Sequence, residues 1–243
     1  MSRWLKDISG LLNPIVQRMK KRILEGRIVQ SDATKLPVIK KGLGKTDQGF
    51  IWVYRGDADF PYVFYDYSDT EHSRYPEAIL NGYTGVVQTD DTNKFNGIIA
   101  NGATAANCLA HVHCYFEDAW KADPSSAEFP MGVIKSLFDI ERVAATLSDA
   151  DKTDLCQRLA KPKLELFKEW LENAKLTELP KTKLGEAISY THNRWPALLV
   201  YLDLPFVAIS NNASERNIKR WFGAGVIGFS LAPKKVGTPQ QHS

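Results

Sequence analysis

Three carboxylates stand apart by their context in this 243-residue chain. Asp32 closes the stretch Arg27-Ile28-Val29-Gln30-Ser31-Asp32, and Asp90 closes Val86-Val87-Gln88-Thr89-Asp90. Glu215 lies in Ser210-Asn211-Asn212-Ala213-Ser214-Glu215-Arg216, where Asn and Ser are expected to cap a helix that carries the acid in its first turn. Acids at the ends of apolar strands are where a sheet presents reactive groups. Two divalent cations held about 3.5–4 Å apart need a bridging carboxylate and other hard oxygen ligands, so phosphoryl-transfer centres of this kind are built from Asp and Glu. An Asp-Asp-Glu set is sufficient. Taken singly, each acid reads first as a surface or capping residue, because Asp often ends strands and Glu often opens helices.

A second cluster, Cys108, His111, His113 and Cys114, raises the question of zinc. Read as a strand, the segment puts His111 and His113 on one face, but four ligands within seven residues cannot surround one tetrahedral ion without a turn between them. Core packing is the expectation there and for Cys156. Neither a Gly-x-Ser-x-Gly elbow nor a phosphate-cradling glycine loop occurs. Trp52, Trp120, Trp170 and Trp195 could stack on unpaired bases, yet each lies on an apolar periodic face and is expected in the core.

The elements that must position these groups follow from periodicity. Trp4, Ile8, Leu11, Leu12, Ile15, Met19 and Ile23 form a helical stripe stopped by Gly26, with Pro14 as a point of division. Strands are expected over 27–32, 49–55, 62–67 and 84–89, and again over 107–112 ahead of a helix through Trp120. Short helices are expected over 73–80 and 92–100. Beyond Pro130 the pattern changes to long amphipathic helices: 131–147, then one capped by Ser148 with Asp151 and interrupted at Pro162, then 183–201, kinked or broken at Pro196. Strands followed by a helical block make an α/β chain.

With 44% hydrophobic and 24% charged residues, the composition is that of a folded protein of one or two domains. Three cysteines and no apolar leader argue against a secreted disulfide scaffold and for a reducing cytoplasm. The longest apolar runs, such as 196–202, fall short of the roughly 18 residues that cross a bilayer. The net charge of +3 conceals a segregation: residues 1–27 carry seven basic side chains against two acids, whereas residues 57–91 carry eight acids against Arg74 alone. Basic residues return at Arg216, Lys219, Arg220, Lys234 and Lys235. Such a distribution suits a metal centre beside a phosphate-binding surface, or else ordinary solvated charge.

From residue 4 to about 222 the chain resembles the catalytic region of the bacterial DDE transposases of the insertion-sequence sixty-six type. The stretches that carry the likeness are Ser31-Asp32-Ala33-Thr34, Gly49-Phe50-Ile51-Trp52-Val53-Tyr54, Val87-Gln88-Thr89-Asp90, Cys108-Leu109-Ala110-His111, Phe138-Asp139-Ile140-Glu141-Arg142, Tyr190-Thr191-His192-Asn193-Arg194-Trp195 and Asn211-Asn212-Ala213-Ser214-Glu215-Arg216. Their order and spacing are together specific.

The resemblance implies an RNase H-like mixed sheet with flanking helices, interrupted by an all-helical insertion. It divides the chain into an N-terminal helical segment (1–26), the first part of the core (27–129), the insertion (130–205), and the completion of the core with a diverged tail (206–243). It further implies that Asp32, Asp90 and Glu215 are catalytic and hold Mg²⁺, with Mn²⁺ as substitute. Asn211, Asn212, Arg216, Lys219, Arg220, His111 and Trp195 are the candidate DNA contacts. The partners implied are double-stranded DNA, at element ends and target, and further copies of the chain on that DNA, in the bacterial cytoplasm at the nucleoid.

The chain also departs from that pattern. Asp32-Ala33-Thr34 stands where the family has Asp-Glu-Thr, Ser210 where it has Asp, and His113-Cys114-Tyr115-Phe116 where it has Arg-Arg-Lys-Phe. No likeness extends past Trp221. A partial or diverged copy is expected, able to bind metal but to carry out little transposition by itself. The alternatives are a catalytically silent remnant that binds DNA or oligomerises, and a metal-dependent nuclease unconnected with transposition.

Overall fold

β1 (Ile28–Ile39) is the strand around which the protein is organised. The computed structural model describes residues 3–39, 46–90, 92–212, 214, 216 and 217. Within them, β2 (Thr46–Arg55) and β3 (Val63–Ser68) add antiparallel on one side of β1, while β4 (Val86–Thr89) and β5 (Thr104–Asn107) add parallel on the other. The sheet is mixed, in the order β3-β2-β1-β4-β5. Two short helices, α2 (Arg74–Ile79) and α3 (Asn96–Ala100), precede β4 and β5. Gly82 (φ 75°) and Gly102 (φ 110°) turn the chain towards those strands in a backbone region that penalises a Cβ.

Burial along β1 explains where a site can form. Ile28, Val29, Gln30 and Ser31 are all buried because both faces of the sheet are covered there. The ladder to β4 stops at Gln30–Gln88, whereas the ladder to β2 continues to Ile39–Thr46. Asp32 therefore lies inside a 12-residue strand, not at the strand end expected from sequence, and marks the point where β1 emerges beyond the parallel pair.

The two faces hold separate cores. Ile28, Val86 and Ala106 face a helical cluster containing Phe116, Leu137, Phe167 and Trp195; Val29 and Val87 face Trp52, Tyr54, Leu80 and Ile98. Trp52 is fully enclosed, donates Nε1–H to Ser68 Oγ at 2.8 Å, and meets Phe95 edge-on.

The helical cluster is built from α4 (Leu109–Ala122), α5 (Pro124–Ala144), α6 (Asp149–Leu155), α7 (Lys161–Thr177) and α8 (Lys183–Leu199). Asp123 caps α5, Ser148 caps α6 as expected, and Thr182 caps α8. Several expectations are corrected. Residues 109–112 are the start of α4, not a strand, so His111 and His113, two residues apart on a helix, do not share a face. Helix α5 begins ahead of Pro130 and contains it. Neither Pro14 nor Pro196 ends its helix; Pro196 is one turn from the end of α8, where a single lost hydrogen bond is tolerable. Trp120 is 45% exposed because Leu109, Val112, Phe116 and Ala119 form the inner face of α4 and Trp120 does not. Helix α1 (Arg3–Ile23) is present, but Trp4, Ile8, Leu11, Leu12 and Ile15 of its apolar stripe are exposed.

Candidate active site

The strands β1 and β4 align two near-identical pentapeptides, Ile28-Val29-Gln30-Ser31-Asp32 and Val86-Val87-Gln88-Thr89-Asp90, position by position as far as Gln30–Gln88. Gln30 Nε2 donates to Gln88 Oε1 at 2.7 Å, so these two side chains share a face. Side chains alternate along a strand, so Asp32, two residues further on, returns to that same face, the one covered by α4 and α8, while Asp90 follows the last residue of β4 and its carboxylate stands beside His111 of α4. Neighbouring strands are about 4.8 Å apart. A cation that takes oxygens at roughly 2.0–2.6 Å can be shared by carboxylates from such matched positions. Hard anionic oxygens just past the paired stretch of two parallel strands therefore fit a divalent ion.

Asp90 is held by partners from β5 and α8. Its backbone carbonyl accepts from Tyr190 Oη at 3.1 Å, from Arg194 Nε at 3.2 Å and from Asn107 Nδ2 at 3.4 Å. The same Asn107 amide donates to Thr89 O at 2.9 Å. The guanidinium of Arg194 lies 3.9 Å from the centre of the Tyr190 ring, which stacks at 4.1 Å on Tyr115. Burial pushes the Tyr190 phenol well above its ordinary pKa, which keeps it a hydrogen-bond donor. His111 Nε2 stands 3.8 Å from Asp90 Oδ2, and Thr89 Oγ1 is 3.4 Å from Asp90 Oδ1. Asp32 Oδ1 accepts the Ala33 backbone N–H at 2.7 Å.

A polar row runs across the sheet one step before the acids. Arg55 Nη1 donates to Gln30 Oε1 at 3.0 Å, Gln30 to Gln88, and Gln88 Nε2 to the carbonyl of Ala208 at 2.6 Å. That last bond, with Leu109 N donating to Ile209 O at 3.0 Å, seats the segment leading towards Glu215 against β4 and α4. Val207, Ile209, Asn211 and Ser214 are buried along it. Asn211 N contacts Cys108 Sγ at 3.4 Å, and Tyr65 Oη donates to Asn217 O at 3.1 Å, so this segment crosses the sheet from the β5 side to β3.

The expected site residues are therefore distributed as follows. His111 stands beside Asp90, and Asp32 lies within β1 two residues past the last β1–β4 pair, Gln30–Gln88. Asn211 is wholly buried, whereas Asn212 and Arg216 line an open cavity. Trp195 is only 9% exposed, packed edge-on to Phe167 under Lys168. Glu215, Lys219 and Arg220 lie outside the described residues. Among the described residues no three His, Cys, Asp or Glu side chains form a ready metal group. Of the cysteines, Cys108 and Cys156 are buried and Cys114 is exposed.

Sequence reasoning missed Gln30, Gln88, Arg55, Tyr190 and Arg194 as supports of the site. The signal for the glutamines was available: the apolar-Val-Gln-hydroxyl-Asp pattern occurs twice, and a Gln inside an apolar run must find a buried partner.

Residues 1–223 match the family model described as Transposase IS66 family. Among curated proteins the chain is similar to the uncharacterized proteins y4jD and y4qI of Sinorhizobium fredii. The first is 26% identical over 232 residues, covering 89% of this chain and 45% of the relative; the second is 27% identical over 237 residues, covering 90% and 43%. The chain thus spans a little under half the length of these relatives.

Proposed function

The chain belongs to the IS66 transposase family, and from that premise we propose that it carries the catalytic centre of a DNA transposase, with Asp32, Asp90 and Glu215 as the ligands of two Mg²⁺ ions, replaceable by Mn²⁺. The observation that supports this reading is the β1–β4 register through Gln30–Gln88, with Asp32 and Asp90 each following two residues further along its own chain segment. The order β3-β2-β1-β4-β5, with helices following β5, supports an RNase H-like core into which residues 130–205 are inserted. Bound there, the ions would activate a water or a 3′ hydroxyl and neutralise the oxygen that leaves.

The remaining work is done by the chain itself. Tyr190, Arg194 and Asn107 fix the Asp90 carbonyl and so the root of its carboxylate. His111 stands beside that carboxylate, from α4, where it can orient it or reach a phosphate. Arg216 and Asn212 line a cavity that Gln30 also lines and are the DNA contacts in this reading; Asn211 supports the segment from within, and Trp195 belongs to the helical core. The partners in this reading are double-stranded DNA and further copies of the chain on it. No helix among the described residues is long and apolar enough to cross a membrane.

A silent, DNA-binding or oligomerising role is favoured at one place: His113, Cys114 and Tyr115 occupy α4 where the family has cations, and Tyr115 is spent on stacking against Tyr190. One experiment separates the two. The purified chain is incubated with Mn²⁺ and supercoiled DNA bearing the element's own ends, beside Asp90→Asn. Metal binding that is weakened in Asp90→Asn is expected in either case, because one anionic oxygen is lost. Strand transfer that disappears in the variant establishes the enzyme; metal binding unchanged by Asp90→Asn defeats the metal-site assignment.

A further inference from the structure

The polar row beneath the acids ends in an unbalanced charge. Arg55, the last residue of β2, is half-buried, and its guanidinium donates to Gln30 Oε1, a neutral acceptor, at 3.0 Å. Arg216 stands near enough that its positive charge, after the larger effect of burial, pushes the Arg55 guanidinium below its ordinary pKa. Both arginines face a cavity of about 490 Å³, together with Gln30, Ser210 and Asn212. Among the described residues no carboxylate forms an ion pair with either guanidinium. Asp57, on the same wall, is already engaged by the backbone N–H groups of Arg27, Asp59 and Phe60 at 2.7, 3.1 and 3.0 Å. Asp149 is the other acid there and opens α6.

Two guanidiniums turned into one cavity repel each other unless an anion fills it. Their forked N–H groups, with a hydroxyl and an amide beside them, match the several oxygens of a tetrahedral oxyanion better than a single flat carboxylate. The position is also informative. Gln30 precedes Asp32 by two residues, about 6.6 Å along β1, and a DNA strand advances about 3.4 Å of axis per nucleotide. We propose that the cavity between the end of β2 and Ser210, Asn212 and Arg216 is a phosphate site gripped by Arg55 and Arg216. On the transposase reading, on which this part rests, its occupant is a backbone phosphodiester about two nucleotides from the one held by Asp32 and Asp90.

The test titrates inorganic phosphate into the full chain and follows the arginine Nε–H resonances by NMR. Arg55 and Arg216 are expected to move along one saturation curve. Arg216→Gln changes an exposed side chain and leaves the fold intact; it is expected to raise the half-saturation concentration about tenfold, as for the loss of one charge-assisted hydrogen bond. Arg55→Gln is expected to do the same. With random duplex DNA, either variant should make the slope of log affinity against log salt shallower by about 0.9, the contribution of one phosphate. Resonances that stay still, or variants that bind phosphate as the parent does, overturn the site. Phosphate binding lost in the variants with duplex affinity and slope unchanged overturns its assignment to the DNA backbone. A parent chain that binds phosphate through both arginines but no duplex at all defeats the transposase reading and leaves the phosphate site standing.

Discussion

Gln88→Leu is the perturbation that most directly probes how the site is held. Gln88 is fully buried, accepts from Gln30 Nε2 at 2.7 Å and donates to Ala208 O at 2.6 Å. Leucine fills much of the volume and does neither. Gln30 is only 5% exposed, so its amide loses its partner in a dry place, while Ala208 is partly exposed and water can reach its carbonyl. A buried group left unsatisfied costs about 1–3 kcal/mol; taking Gln30 at about 2 and Ala208 at about 1 gives about 3 kcal/mol. For a domain of this size that corresponds to a fall in Tm of about 6–12 °C. Calorimetry measures it, and Mn²⁺ titration of the same variant should show weaker binding, because the freed segment leads directly to Glu215. Adding Gln30→Leu removes the orphaned amide, so the double variant should lose less than the sum of the singles. A Tm within about one degree of the parent's, or a strictly additive pair, would refute the idea that this relay seats residues 206–212.

Three further outcomes follow from the same physical picture. Lys152→Met should lower stability by about 2–3 kcal/mol in urea, since it strands the Glu141 carboxylate, paired at 2.8 Å with side chains only 11% and 15% exposed; adding Glu141→Leu should recover most of the loss, and failure to recover would count against the ion pair as the cause. Burial raises the phenols of Tyr54, Tyr83, Tyr190 and Tyr201. Their folded pKa values lie above the unfolded value near 10, so this stability is fully present below about pH 10 and is lost as pH rises through the folded values. Ultraviolet titration should therefore find them ionising only as circular dichroism collapses, and free ionisation near pH 10 in a folded chain would contradict their burial. Trp195→Ala should cost about 3–5 kcal/mol as a core truncation while the refolded chain keeps its DNA affinity; a selective loss of single-strand binding would instead restore the stacking role.

How far the site could be read without coordinates depended on whether the deciding interactions were local. The strands bearing Asp32 and Asp90 were legible because an apolar run before a polar residue is a local signal, as was the Ser148 cap. The continuation of β1 to Ile39 was not. Its outer half is held only by β2, and its alternation of half-buried and exposed residues reflects that partner more than its own composition. The boundary at Cys108 failed for the opposite reason. Leu109, Val112, Phe116 and Ala119 are a helical stripe, but its first members adjoin the real strand β5 and blur the change of period. Trp120 was misplaced by one position on that helix, since one residue turns the side chain through about 100°. The supports of the acids were hidden because they are long-range: Tyr190 and Arg194 meet Asp90 across about a hundred residues of sequence.

That long-range contact changes what the helical block is for. A helical block that merely rode on the sheet would need only apolar contacts, and Ile28, Val86 and Ala106 already supply those. Instead α8 sends two donors, Tyr190 and Arg194, to a single backbone carbonyl, that of the residue whose carboxylate would meet the metal. The aromatic faces of Tyr115 and Tyr190 and the Arg194 guanidinium stack above it, tying α4 into the same contact. A misplacement of about 1 Å can cost a hundredfold in rate. On the transposase reading, the hydrophobic core around Phe116, Phe167 and Trp195 would therefore govern chemistry indirectly, because it packs α8 and so the donors Tyr190 and Arg194 that hold the Asp90 carbonyl. On this argument substitutions deep in the helical block and substitutions in the Gln30–Gln88 row act on the site by separate routes, the first on Asp90 from above and the second on the approach to Glu215.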